Sequence, residues 1–120
     1  MGTIIRFEDI IAWQKSRLLT KDIYVATKSS DFENDFDLIR QMRRCTVSVM
    51  ANIAEGFERK REKQFAHFLD ISMGSLAELK SHLYICLDLK YITKVAFKKF
   101  EDQIEEIGKM INSLRKYLKE

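Results

Sequence analysis

Seven cations between positions 40 and 63 are the side chains of this sequence best suited to chemistry with another molecule. Arg40, Arg43, Arg44, Arg59, Lys60, Arg61 and Lys63 stand against three acids in that stretch, Glu55, Glu58 and Glu62, a local +4 in a chain whose net charge is +3. Arg40 and Arg44 are one helical turn apart with Arg43 beside them, so a helix would display them as a patch. A guanidinium is a planar fork that donates two hydrogen bonds at once, which matches a phosphate. The chemistry these residues offer is therefore phosphate contact, weakening steeply as salt rises. Reading of base sequence is not expected, because no helix-turn-helix, zinc-finger or RNA-recognition signature is present. The competing arrangement is ion pairing with neighbouring acids, within the chain or across subunits, over a solvated face.

A second group is polar and lies on an apolar helix. Ser48, Asn52 and Glu55 are spaced i, i+4 and i+7, so they share one face. A buried polar group without a partner costs about 1–3 kcal/mol, so such residues have to find partners. Asn52 and Glu55 are expected to meet Ser75 and Glu78 of the following helix, setting helix register or subunit packing. Gly74 and Ser75 fit that role because small residues allow another backbone to approach closely.

Other chemistries find little support. A di-iron bundle needs Glu-x-x-His on two helices, whereas His67 is followed by Asp70 and His82 stands four residues after Glu78. His82 is expected to touch Glu78 and His67 to lie on the surface. Cys45 and Cys86 fall at core positions without CxxC spacing, which points to free buried thiols and a reducing compartment. There is no glycine-rich phosphate loop and no G-x-S-x-G elbow. No catalytic residue, metal or cofactor is expected, and the chain is read as non-enzymatic.

The elements that must position these residues are helices. Phe97, Phe100, Ile104, Ile107, Ile111, Leu114 and Leu118 step by three and four with charges between them, a pattern no strand can use. Phe65, Leu69, Ser72, Leu76, Leu79, Leu83 and Cys86 repeat the rule, and predict a helix from about Glu62 to Leu89. A first helix is expected from about Glu8 to Thr27 on Ala12, Ser16, Leu19, Ile23 and Ala26, flanked by Ile11, Leu18 and Val25. A second is expected from about Asp37, as N-cap, to Gly56, as C-terminal stop, on Leu38, Met42, Cys45 and Val49. Residues 28–36 read as a polar, acidic loop, 57–61 as a short basic joint and 90–93 as a tight turn. Short connections force successive helices antiparallel, giving an all-α, up-down-up-down four-helix bundle that occupies 1–120 as a single domain. Trp13, Tyr24, Tyr84, Tyr91 and Tyr117 flank the stripes, where they would cap core edges or fill subunit interfaces.

Composition agrees. At 120 residues the chain is one domain's worth, 46% hydrophobic and 32% charged, without a single proline. The first residues lack the apolar core of a signal peptide, and no apolar run is long enough to span a bilayer, so a cytoplasmic protein with no membrane partner is expected.

The stretch Arg43-Arg44-Cys45-Thr46-Val47-Ser48-Val49-Met50-Ala51-Asn52-Ile53-Ala54-Glu55-Gly56 resembles the RR-x-x-x-S-x-x-x-N-I-A-E-G signature of the bacterial four helix bundle protein family, first noticed as proteins encoded in intervening sequences of 23S rRNA genes. The resemblance extends to Phe7-Glu8-Asp9-Ile10-x-x-Trp13-Gln14-Lys15, Phe65-x-x-Phe68-Leu69 and Gly74-Ser75-Leu76-x-Glu78-Leu79, and so covers nearly the whole chain. It implies a bundle that assembles into a ring, a homopentamer. One branch, the accessory proteins of diversity-generating retroelements, is strongly basic and binds nucleic acid and a reverse transcriptase. Transferred to this chain, the resemblance implies RNA or DNA bound through the basic surface. The alternative is a scaffold for a protein partner with no direct nucleic-acid contact. Two positions depart from the family pattern: the first loop lacks the usual proline, and Lys90 stands where a glycine is frequent in the last turn.

Overall fold

The computed structural model describes residues 4–118. The first three residues, part of the segment read for a signal peptide, lie outside them. Four helices make up the body: α1 (Ile11–Ala26), α2 (Phe36–Glu58), α3 (Glu62–Asp88) and α4 (Lys94–Tyr117). Single 3-10 turns at Phe7–Asp9 and Ser30–Phe32 precede α1 and α2. The molecule is a rod of 46 × 21 × 21 Å, its long dimension set by the 27 residues of α3 at about 1.5 Å each.

The three-and-four spacing has its intended effect. Every stripe residue of α3 is buried, and so are Phe97, Phe100, Ile104, Ile107, Ile111 and the more distal Leu118. Leu19 and Ile23 of α1 and Val49 and Ile53 of α2 meet them at zero exposure. Partners ascend on one helix as they descend on the next. Met42, Cys45, Ser48 and Val49 of α2 contact Cys86, Glu78, Ser75 and Ser72 of α3. Thr20 of α1 and its C-cap Thr27 contact Thr46 and Arg43 of α2, Tyr84 and Asp70 of α3 contact Phe97 and Arg115 of α4, and Lys15 and Asp22 of α1 contact Glu106 and Gln103 of α4. Each neighbouring pair therefore runs antiparallel around one shared core.

Helix ends depart from the expectation in instructive ways. The N-cap of α2 is Asp35, whose carboxylate accepts from the Leu38 amide at 3.4 Å, and not Asp37, which lies in the first turn and pairs with Arg40. Gly56 does not stop α2, which runs on to Glu58. The chain reverses instead at Lys60, in the left-handed region at φ 64°. Lys90 does the same after α3 at φ 62°, its amide donating to Leu87 O and that of Tyr91 to Cys86 O, the paired bonds of a Schellman stop usually built on glycine. The 28–36 segment is polar only in part. Phe32, on its 3-10 turn, is inserted into the core against Tyr91, whose hydroxyl donates to Asp35 at 2.9 Å. α1 begins at Ile11, three residues after the expected Glu8, because the preceding turn folds back and Gln14 donates to Glu8 O.

Candidate functional site

The seven cations share α2, the joint that follows it and the first turn of α3, yet α2 separates them into two groups. Arg40, Arg43 and Arg44 sit in its first half and Arg59 to Lys63 beyond its C-terminus, with Arg44 and Arg59 about 22 Å apart at 1.5 Å per residue. They are also unequal in what they already hold. Arg40 pairs with Asp37 at 2.7 Å and Arg59 with Glu55 at 2.6 Å, local pairs of one helical turn. Arg43 is half-buried. Its Nε donates to Thr27 Oγ1 at 2.9 Å, and its guanidinium lies 4.6 Å from the Tyr24 ring centre, so it clamps α2 to α1. Lys60 rests on the Phe57 ring, and Arg59 covers Phe68.

Arg44, Arg61 and Lys63 are exposed and make no ion pair or hydrogen bond among the described residues. Among the described residues, acid pairing within the chain accounts for Arg40 and Arg59, and the other five of the seven cations have no acidic partner there. Around Arg40, Arg43 and Arg44 the surface also carries exposed Phe36 and Val47, which with Tyr24 and Ile39 form a shallow groove between α1 and α2.

The polar signature is a seam between α2 and α3. Ser48 Oγ and Ser75 Oγ are 2.8 Å apart, and Asn52 Nδ2 donates to Ser48 O at 2.8 Å and Ser48 Oγ at 3.0 Å. Ser72 Oγ, fully buried, donates to Val49 O at 2.9 Å. These short side chains let the two backbones come close, and Gly56 continues the approach. A Cβ there would stand 2.7 Å from Phe68 Cβ and 2.9 Å from Phe65 Cδ1. Three members of the expected set behave differently. Asn52 bonds to Ser48 of its own helix and not to Ser75 or Glu78 of α3. Glu55 turns to Arg59, the i, i+4 arginine of its own helix, at 2.6 Å and not to α3. Gly74 faces outward, with nothing within 4 Å of a Cβ built on it, so it permits no close approach inside the chain.

Glu78 belongs to a cluster that sequence spacing did not disclose. Its Oε1 accepts from Cys45 Sγ at 3.5 Å, and donor atoms of Cys45, Glu78 and His82 all lie within 4.8 Å of one another. Burial, followed by the Glu78 carboxylate, pushes the Cys45 thiol up to about 12. Both ring nitrogens of His82 are buried without a hydrogen-bond partner among the described residues, an arrangement that costs about 1–3 kcal/mol per group. The expected His82–Glu78 proximity is present, but as part of this three-residue group. The i, i+4 spacing was the visible half of the signal; Cys45 joins only through the register of α2 on α3. The three open into a cavity of about 340 Å³ that Arg40, Arg44, Ser48 and Ser75 also line. Cys86 is a separate thiol, buried beside Met42 and likewise raised to about 12 by burial and then by Asp35. His67 is exposed and packs edge-on against Phe68.

Fold and surface together define a four-helix-bundle protein with two groups of cations, one towards each end of α2. The chain belongs to the 23S rRNA-intervening sequence protein family, whose profile matches residues 8–113. A crystal structure of a protein of unknown function from the S23 ribosomal protein family of Bacteroides thetaiotaomicron VPI-5482 superposes with a TM-score of 0.81. The two chains are 23% identical, over 88% of this chain and 98% of that one, which establishes the shared fold. No curated protein matches the sequence. Neither the family description nor the structural neighbour names a catalytic activity. No described helix is long and apolar enough to cross a membrane.

Proposed function

We propose that this chain is a self-assembling helical scaffold, a homopentamer by its family resemblance, that holds RNA or DNA by its phosphates. The observation that carries the nucleic-acid part is the uncompensated charge of Arg44, Arg61 and Lys63, with Lys60 held only by a ring. Cations already satisfied by acids gain little from a phosphate, whereas free ones release condensed counterions when they bind. Repetition around an assembly would place several such groups on one polynucleotide. Self-assembly draws support from α1, where Ile11, Leu18 and Val25 recur every seven residues at 52%, 54% and 60% exposure. That is the spacing of one seam of a helix packed on another helix.

A second reading, a scaffold for a protein partner without nucleic-acid contact, is favoured by the exposed Phe36 and Val47 beside the arginines. The discriminating experiment compares wild type with the Arg44→Glu, Arg61→Glu, Lys63→Glu triple variant. Arg43 is left alone because it holds α1 to α2. Binding to a structured RNA and a DNA duplex is titrated across salt, with the assembly mass recorded in parallel. The nucleic-acid reading expects salt-sensitive binding that the variant loses at unchanged mass. Absence of binding by the wild type at low salt sinks it and leaves the protein-partner reading. A variant that falls apart instead makes those cations subunit contacts, which also removes the basis for phosphate binding.

A further inference from the structure

We infer that Cys45, Glu78 and His82 form a binding site for a single zinc-class divalent cation, bridging α2 and α3. The cluster combines a sulfur, a carboxylate oxygen and an imidazole nitrogen within 4.8 Å, the donor types that select zinc over the all-oxygen ions magnesium and calcium. One ligand separation already matches what the ion requires, and the others need closing by at most about 1.5 Å. With zinc–sulfur at about 2.3 Å and zinc–oxygen at about 2.0 Å, a tetrahedral site separates those two ligands by about 3.5 Å. Cys45 Sγ and Glu78 Oε1 stand 3.5 Å apart.

The histidine supplies the independent observation. Its two nitrogens are shut away from solvent with nothing to bond, although a neutral imidazole offers one donor and one acceptor. A cation between the three residues gives the acceptor nitrogen its partner and fixes which nitrogen keeps the proton. Glu78 lies at the exposed rim, so the ion has a route in, while Cys45 forms the buried floor. A thiolate and a carboxylate neutralise the dication, and a fourth coordination position is left facing the cavity. The charged groups around it are Arg40 and Arg44, with Asp37 held by Arg40, so the open position favours water or an anion over another cation.

Binding exchanges one sulfur–hydrogen bond for one sulfur–metal bond, and the proton leaves to the buffer. Because each ion bound releases one proton, affinity rises with pH. The full-length protein, kept reduced with a phosphine, is titrated with Zn²⁺ against a chromophoric chelator, and separately with Co²⁺. One ion per chain is expected, and the cobalt form should show a thiolate charge-transfer band with tetrahedral d–d absorption. Glu78→Gln, at an exposed position that does not threaten folding, should weaken binding at least about tenfold, by loss of a ligand rather than of an outer contact. His67→Gln, an exposed histidine remote from the cluster, should change nothing. Absence of stoichiometric binding overturns the assignment. So does a cobalt spectrum without the thiolate band, or a Glu78→Gln variant that binds as wild type does.

Discussion

Alanine at Gly56 and at Gly74 should move stability in opposite directions. Both glycines sit inside helices, where alanine is favoured by about 1 kcal/mol through backbone entropy alone. At Gly74 nothing opposes that gain, because a new Cβ meets no atom within 4 Å. At Gly56 the new methyl lies 2.7 Å from Phe68 Cβ, an atom tied to the α3 backbone that no rotamer change can withdraw. Relief requires α3 to back away from α2, which would stretch the 2.8 Å Ser48–Ser75 and 2.9 Å Ser72–Val49 bonds. Overpacking of this kind costs about 1–3 kcal/mol, centred near 2, so Gly56→Ala should be destabilised by about 1 kcal/mol after the helical gain is counted. The two variants should then differ by about 2 kcal/mol, on the order of 10 °C in Tm. The assay is thermal unfolding followed by circular dichroism at one fixed protein concentration, since an assembling protein has a concentration-dependent midpoint. A Gly56→Ala protein as stable as wild type would refute the account of Gly56 as a steric requirement. A Gly74→Ala protein that loses stability would show that another chain covers the outer face of α3.

Two further predictions concern residues whose roles the structure separates. Arg43→Ala should cost about 2 kcal/mol, because it removes a charged hydrogen bond and a cation–ring contact, while Arg44→Ala should stay within about 0.5 kcal/mol; urea unfolding of the two side by side checks this. Equal effects would contradict the division between a clamping and a free arginine. Cys45 and Cys86 should resist a thiol reagent in the folded protein at pH 8.5 and react readily once it is denatured, since burial raises both to about 12. Their folded pKa values lie above the unfolded value of 9.0, so the stability linked to their neutral forms is complete below pH 9 and is lost as pH rises towards 12. Tyr91, raised by its bond to Asp35, acts in the same direction. A thiol that reacts as fast in the folded state, or a stability flat across that range, would contradict the burial argument.

Periodicity made the helices and their inward faces legible, because the same spacing that forms an apolar stripe also dictates which side is buried. Ends were harder to read where they depend on residues with no turn signature. Lys60 and Lys90 take left-handed backbones at φ 64° and 62°, and nothing about lysine announces that. The glycine that looked like a stop, Gly56, is there for space and not for conformational freedom, and the structure records no positive φ at any described glycine. Phe32 was hidden among acidic neighbours, and only its insertion beside Tyr91 shows why the loop is anchored. The basic cluster was legible as composition, but which of its members are already engaged depends on Thr27, Tyr24 and Phe57, residues outside the charge pattern.

The three-residue cluster shows what was missing in principle. Cys45 and Glu78 are 33 positions apart, and a stripe pattern assigns each to a helix face without saying which residue lies opposite which. That information is the register, and in α2 and α3 one contact is enough to set it. Once Gly56 is placed against Phe68, two rigid antiparallel helices have no freedom left. Eight residues back along α2 is Ser48, seven forward along α3 is Ser75, and those two hydroxyls meet. One further turn in each direction brings Cys45 to Glu78, with His82 a turn beyond. The seam of small polar residues therefore does more than satisfy its own hydrogen bonds. A large apolar side chain at Ser48 or Ser75 would push the helices apart and separate the Cys45 sulfur from the two groups on α3. On this argument the glycine, the serines and the sulfur–carboxylate–imidazole cluster are a single structural device: the first two fix the distance and register at which the third can exist.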